Sequence, residues 1–279
     1  MYYLFIIGRK LALALPRKLC YAVARILAII QFHCSSKDRN NVIYNLTPVL
    51  GSVPCLRHSA REVFINFAYY LSDFFRYAKL NAQFIERYVR IEGLEYLDKA
   101  LQEKKGVIVV SAHLGNYELG GAVVALRGYP CHVIALPHSD ERLTHFFVRQ
   151  RELAGLRVVS TGITVKRCIQ ILKQGGIVGV LGDRDFTREG SSAQIFSRSC
   201  LLPRGAAFFA RKTAAAVIPC FFVRDKKYYY RLIIEKPIVY DVVCPDIESC
   251  IMSAYAKILE RYIEQYPEQW YVFQKYWKE

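Results

Sequence analysis

The chain has 279 residues, of which 53% are hydrophobic and 23% charged, a balance that suits one large packed domain, or a domain with a small appendage, and excludes a disordered chain. Its net charge of +15 and pI near 9.4 call for an anionic partner, either nucleic acid or an anionic membrane, and composition does not choose between them. Nine cysteines with no C-x-x-C pair read as reduced, mostly buried, small apolar residues facing a reducing compartment and argue against a zinc site.

Residues 1–32 contain Arg9, Lys10, Arg17, Lys18 and Arg25 and no acid. At 100° per residue these cations share one half of a helical wheel, opposite Leu4, Leu11, Leu15, Leu19, Ala22, Ile26 and Ile30. That pattern defines a basic amphipathic helix, broken in two at Pro16. It suits a membrane interface, and an ordinary helix on the protein core is the alternative. Cations interrupt every window long enough to span a bilayer, and no signal-peptide layout is present. Removal of this segment is expected to weaken membrane binding while leaving the rest, residues 33–279, folded as the catalytic domain.

Residues 57–80 form a second amphipathic helix, with Phe64, Phe67, Leu71, Phe74 and Phe75 on one face. From residue 107 onward, short apolar runs alternate with helical patterns. Strands are predicted at 107–112, 131–136, 157–160, 177–181, 216–223 and 228–235. Helices are predicted at 116–127, 140–154, 164–174, 203–213 and 246–266. This alternation means an α/β fold with a mainly parallel central sheet flanked by helices, and residues 1–80 form a helical layer on it. Sites in such sheets gather at the carboxyl ends of the strands.

The segment VIVVSAHLGNYELGG places His113 just past a buried strand and Glu118 in the first turn of the next helix. A carboxylate there can hold one ring nitrogen of the histidine and fix its tautomer, leaving the other to take a proton from a hydroxyl. Gly115 and Asn116, at the helix start, can offer donors to an oxyanion. A loop histidine beside a helix cap is the plain structural alternative. The segment GDRDFTREG puts Asp183, Arg184 and Asp185 directly after the strand at 177–181. Asp183 or Asp185 is expected to face the same cleft as His113, a polar turn leaving the sheet being the alternative. Arg149, Arg151 and Arg157 can bind phosphate or remain solvated helix charges. No G-x-S-x-G elbow is present, which argues against a serine hydrolase.

HLGNYE resembles the H-x4-D/E motif of the glycerolipid acyltransferases. More closely, the chain resembles the bacterial lipid A lauroyl/myristoyl acyltransferase family and its relative, the mycobacterial phosphatidylinositol mannoside acyltransferase. Five further segments agree in order: NVIYNL near residue 45, RELAG at 151–155, GDRDFTREG at 182–190, AAAVIPCFF at 214–222 and PEQWY at 267–271. The resemblance implies a glycerolipid-acyltransferase-like fold and transfer of an acyl chain from an acyl carrier protein or coenzyme A thioester to a hydroxyl of a membrane glycolipid. It assigns His113 as base and Glu118 as its paired acid. It also brings Arg151, Asp183 and Asp185 into the substrate site, and Arg184 lies between the last two. No metal or resident cofactor is implied, and the expected location is the cytoplasmic face of a bacterial inner membrane. The chain departs from the family at WYVFQKYW, where Gln274 replaces a histidine and Tyr276 an arginine, and at FSRS (196–199), which lacks a second Phe-Gly. Those changes bear on the acceptor. A lysophospholipid acyltransferase is the nearest competing function. A basic nucleic-acid-binding protein, for which no recognition motif is evident, and an inactive membrane-binding protein are competitors of a different class.

Overall fold

In the computed structural model, residues 2–51, 54–159, 164–186, 190–240 and 246–278 are described. Four helices open the chain: α1 (Tyr2–Ala14), α2 (Arg17–Cys34), α3 (Ser36–Leu50) and α4 (Leu56–Phe75). The break between α1 and α2 falls at Pro16, which lacks the N–H that a continuous helix would need there. Next come α5 (Ala82–Tyr88), β1 (Val89–Glu92), α6 (Leu94–Gln102), β2 (Val107–Ser111), α7 (Tyr117–Leu126) and β3 (Cys131–Ile134). They are followed by α8 (Glu141–Leu153), β4 (Arg157–Val159), α9 (Thr164–Lys173), β5 (Ile177–Leu181), β6 (Ser191–Ile195) and β7 (Arg198–Leu202). The chain closes with α10 (Gly205–Thr213), β8 (Ala216–Lys226), β9 (Tyr229–Ile234) and α11 (Ile247–Gln265). Of the predicted strand at 157–160, Ser160 lies outside the described residues, as do Thr187, Arg188 and Glu189 of the GDRDFTREG segment.

Seven strands form one sheet in the order β1-β9-β8-β2-β5-β3-β4. Every pairing in it is parallel except β8 with β9. The central strands β2 and β5 read as unbroken apolar runs because helices cover both their faces. On one face, α7 and α8 bury Leu119, Val123 and Phe146 with Leu156. On the other, α9, α10 and α11 bury Ile171, Phe209 and Leu259 against Ile108, Val178 and Val217.

The N-terminal segment packs into the same core as the helices that follow it. Tyr21, Ala28 and Phe32 of α2 are buried with Phe64 and Tyr69 of α4. Arg17, one of the five cations assigned to the polar face, turns inward, 3.4 Å from the buried Asp73 carboxylate. Tyr21, Tyr230 and the Asn116 side chain also donate to Asp73. Deletion of residues 1–32 would therefore uncover the hydrogen-bonded Asp73 side chain and a large apolar area, a cost that bears on the expected independence of residues 33–279.

Candidate active site

His113 and Asp183 meet because of strand register. Ser111 of β2 pairs with Leu181 of β5 in the parallel ladder, and each of the two residues lies two positions beyond one member of that pair. His113 Nδ1 is 2.8 Å from Asp183 Oδ1. The carboxylate is fully buried and the imidazole 16% exposed. Burial alone raises the Asp183 carboxyl, but the imidazole's charge and hydrogen bonds from the His113 side chain and backbone, with help from Arg184, hold it below the usual carboxylate range. An ionised Asp183 accepts a proton-bearing Nδ1, which leaves Nε2 as the ring nitrogen with a free lone pair. The contact expected of Asp183 or Asp185 with His113 is made by Asp183, which lies buried behind the imidazole, while Asp185 stands with His113 on the cavity wall.

Glu118 does not reach the histidine. It is clamped by Arg151, whose Nε lies 3.1 and 3.0 Å from the two carboxylate oxygens and whose Nη2 bonds Oε1 as well. Both side chains are largely buried. The H-x4-E spacing thus joins the start of α7 to the end of α8, and the pairing expected between His113 and Glu118 is replaced by His113–Asp183. The reason is direction: Glu118 projects from the first turn of α7 toward α8, whereas the loop turns the imidazole toward β5.

Gly115 and Asn116 also have tasks other than the one expected. The Gly115 amide donates to the Gln269 carbonyl at 2.8 Å and the Asn116 amide to the Phe222 carbonyl at 2.7 Å. Neither is free for an oxyanion. Asn116 caps α7 by accepting from the Leu119 amide, and its Nδ2 donates to Asp73 at 3.2 Å. Gly115 has φ +65° and sits so close to the Phe222 carbonyl that any Cβ would collide with it, so only glycine fits. The PEQWY segment holds the same loop from the other side: the Tyr271 amide donates to the His113 carbonyl at 2.7 Å, and Leu114 bridges Trp270. The loop bearing His113 is therefore hydrogen-bonded to β8 and to the C-terminal segment at consecutive residues.

His113 opens onto a cavity of about 470 Å³ between α7 and the sheet, within the size range of small-molecule sites. Arg184, Asp185 and Phe186 stand with His113 on its wall, together with Glu118 and Arg151. Arg184 lies over the Phe186 ring, 4.9 Å from its centroid, and donates to Gln274 at 3.2 Å. Asp185 accepts from the Gly190 amide at 3.0 Å. The remaining wall is mostly apolar, with Val109, Val124, Val133, Leu156 and Phe222. Cys131 and Cys220 also line it. Burial pushes both thiols up to about 12, so they stay protonated and act as apolar wall atoms rather than nucleophiles.

Two contributors escaped the sequence analysis. Tyr117 stands edge-on to His113, ring centroids 5.3 Å apart, and accepts a hydrogen bond from Tyr70 at 3.2 Å. Asp73 anchors Asn116 from α4. A carboxylate on the aromatic face of a helix, in LSDFF, is the signal that points to it.

The profile of the bacterial lipid A biosynthesis acyltransferase family matches residues 1–279, and the chain belongs to that family. It is an acyltransferase. Among its relatives, the phosphatidylinositol mannoside acyltransferase of Mycobacterium tuberculosis is 26% identical over 246 residues, covering 84% of this chain and 75% of that protein. The lipid A biosynthesis palmitoleoyltransferase of Escherichia coli is 28% identical over 189 residues, 67% of this chain and 60% of that protein. The crystal structure of the 1-acyl-sn-glycerophosphate acyltransferase PlsC from Thermotoga maritima aligns with 91% of this chain and 99% of its own, with a TM-score of 0.42 and 14% identity.

Proposed function

We propose that the protein transfers a fatty acyl chain from a thioester of acyl carrier protein or coenzyme A to a hydroxyl of a membrane glycolipid of the lipid A type, with His113 as general base. The observation that carries this reading is the imidazole of His113 on the wall of a largely apolar cavity, with the buried Asp183 carboxylate 2.8 Å behind it. His113 Nε2 takes the proton of the acceptor hydroxyl as its oxygen attacks the thioester carbonyl. Asp183 holds the tautomer and stabilises the imidazolium that forms. The tetrahedral intermediate then collapses, the carbon–sulfur bond breaks, and the imidazolium returns the proton to the departing thiolate. The cavity receives the acyl tail, removing it from water. Arg184, the cation nearest Asp183 in the chain, is placed to meet anionic groups of donor or acceptor.

The acceptor comes from a membrane, and the outer side of α1 and α2 fits one. Leu4, Ile7 and Leu11 of α1 and Leu19, Val23, Ile26, Leu27 and Ile30 of α2 are all exposed. Lys10, Lys18 and Arg25 are exposed beside them. An apolar stripe flanked by cations suits the headgroup boundary of an anionic bilayer. Among the described residues no single helix is long and apolar enough to cross a membrane, though α2 and α3, bent by 93° at their junction, are so together; the stripe and its flanking cations lay α1 and α2 in the interface in this reading. The location proposed is the cytoplasmic face of a bacterial inner membrane, where acyl thioesters are available.

The deciding experiment compares lipid extracts, by mass spectrometry, from cells with and without the protein, alongside purified protein given an acyl thioester and candidate acceptors. A glycolipid that gains one acyl group only in the presence of active protein is the expected result. Acylation of a lysophospholipid instead would move the acceptor to a glycerol hydroxyl, and no transfer from any thioester would overturn the reading.

A further inference from the structure

Four glycines line the cavity, Gly120 and Gly121 on α7, Gly179 on β5 and Gly205 at the start of α10, and the first three differ in what they are for. Gly120 is required by packing, since a Cβ there would press against Phe222 Cβ at 2.7 Å. Gly121 and Gly179 are not. A Cβ on Gly121 would meet Leu156 Cδ2 at 3.4 Å, and one on Gly179 would meet Val133 Cγ1 at 3.4 Å. Both are ordinary contacts, and neither glycine has a positive φ. Gly179 is the sharper case. It sits in the middle of β5, where glycine weakens a strand by roughly 0.5–1 kcal/mol relative to alanine, and nothing in its backbone or its neighbours requires it. A glycine in a strand interior without such a reason marks a place where something else approaches the backbone.

The register fixes where that place is. Gly179 pairs with Val109 on one side and with Val133 on the other. It lies two residues before Leu181, hence about 7 Å deeper along the sheet than the Ser111–Leu181 pair next to the catalytic loop. A chain whose carbonyl sits at His113 and whose tail runs down the cavity meets this bare stretch of backbone beyond its first several carbons.

We propose that Gly179 sets how long an acyl chain the enzyme accepts, by leaving open the deep part of the cavity that a side chain would fill, with Gly121 widening the same space from α7. The inference rests on the acyl-transfer reading above. A larger residue at 179 then excludes the terminal carbons of long donors while leaving the reacting end untouched.

The test is donor competition with the full-length protein: lauroyl, myristoyl, palmitoyl and stearoyl thioesters on one carrier, with a single glycolipid acceptor, for wild type, Gly179→Ala, Gly179→Val and Gly121→Ala. For Gly179→Val, kcat/KM with the longest accepted donor is expected to fall at least about tenfold relative to the shortest, the scale on which a pocket discriminates a few methylenes. Gly179→Ala and Gly121→Ala should shift the profile the same way by less. Since one added methyl at 179 has only ordinary contacts, Gly179→Ala carries the test alone if the valine variant does not fold. A profile that keeps its wild-type shape overturns the inference, and so does an equal loss with every donor in a Gly179→Ala protein of wild-type melting temperature. In both of those outcomes the wild type still transfers. A wild type that uses no acyl thioester at all instead overturns the acyl-transfer reading and the inference with it.

Discussion

Replacing Asp183 with asparagine separates the two carboxylates that the H-x4-E motif brings into question. The Asp183 carboxylate is fully buried and 2.8 Å from His113. Two unit charges at that distance attract by about 6 kcal/mol at an effective dielectric near 20. Part of this is offset by the desolvation of a carboxylate with no exposure, and breaking such a buried pair by removing one partner costs about 3–5 kcal/mol. In Asp183→Asn that loss falls on the state in which His113 carries the acceptor's proton. The predicted effect is therefore a fall in kcat of about 10²–10⁴, at 1.36 kcal/mol per decade. An amide can also donate to Nδ1, which would put the ring proton on Nε2 and block the base outright. Thiol release from an acyl thioester, followed spectrophotometrically with acceptor present, measures the rate, and a thermal melt checks the fold. Glu118→Gln, which touches Arg151 and not His113, should lower kcat much less. If Asp183→Asn turns over like wild type while Glu118→Gln is dead, the pairing in the structure is not the working one.

Three further outcomes follow from the same geometry. Because the folded-state Asp183 carboxyl is held below its ordinary value, its contribution to stability is fully present above the unfolded carboxylate range near pH 4 and is lost as pH falls through the folded value. Melting temperature on acidification should accordingly drop more steeply for wild type than for Asp183→Asn, and parallel curves would remove the pair from the stability account. Gly115→Ala must move the Phe222 carbonyl and force a non-glycine residue to φ +65°, which predicts a loss of roughly 2 kcal/mol or more by denaturant unfolding and a loss of transfer activity. Leu19→Glu with Ile26→Glu, both on the exposed stripe, should abolish most co-sedimentation with anionic vesicles at nearly unchanged melting temperature, and undiminished sedimentation would show that this face does not meet the bilayer.

Most of the α/β framework is legible in the sequence because its strands are short apolar runs bounded by turns. The predicted strand at 177–181 is β5 residue for residue, and the helix at 164–174 is α9 to within a residue. Two of the omissions share a cause. β1 (VRIE) has three half-buried positions and one exposed one, and β6 (SSAQI) holds one fully buried residue. Neither carries enough apolar periodicity to stand out, and each is defined by its partner strand. The cationic half-wheel of residues 1–32 is real, but it concealed Arg17. A guanidinium can enter the core when a carboxylate waits there, and Asp73 lies more than fifty residues away in the chain.

The active-site pairing shows the same limit more sharply. Glu118 is five residues from His113 and Asp183 is seventy, so local spacing points to a carboxylate other than the one the imidazole contacts. What decides between them is that β2 and β5 are neighbours in register, a property of sheet order that no segment of the chain encodes alone. The signal was nevertheless divided between two legible facts: His113 follows one buried strand by two residues, and Asp183 follows another by two. In a parallel sheet with sites at the carboxyl ends of strands, residues at equal distance past two adjacent central strands are brought together by construction. The clamp between Glu118 and Arg151 joins HLGNYE and RELAG in one bridge that fixes the start of α7 against the end of α8, and with it the wall of the cavity that His113 lines.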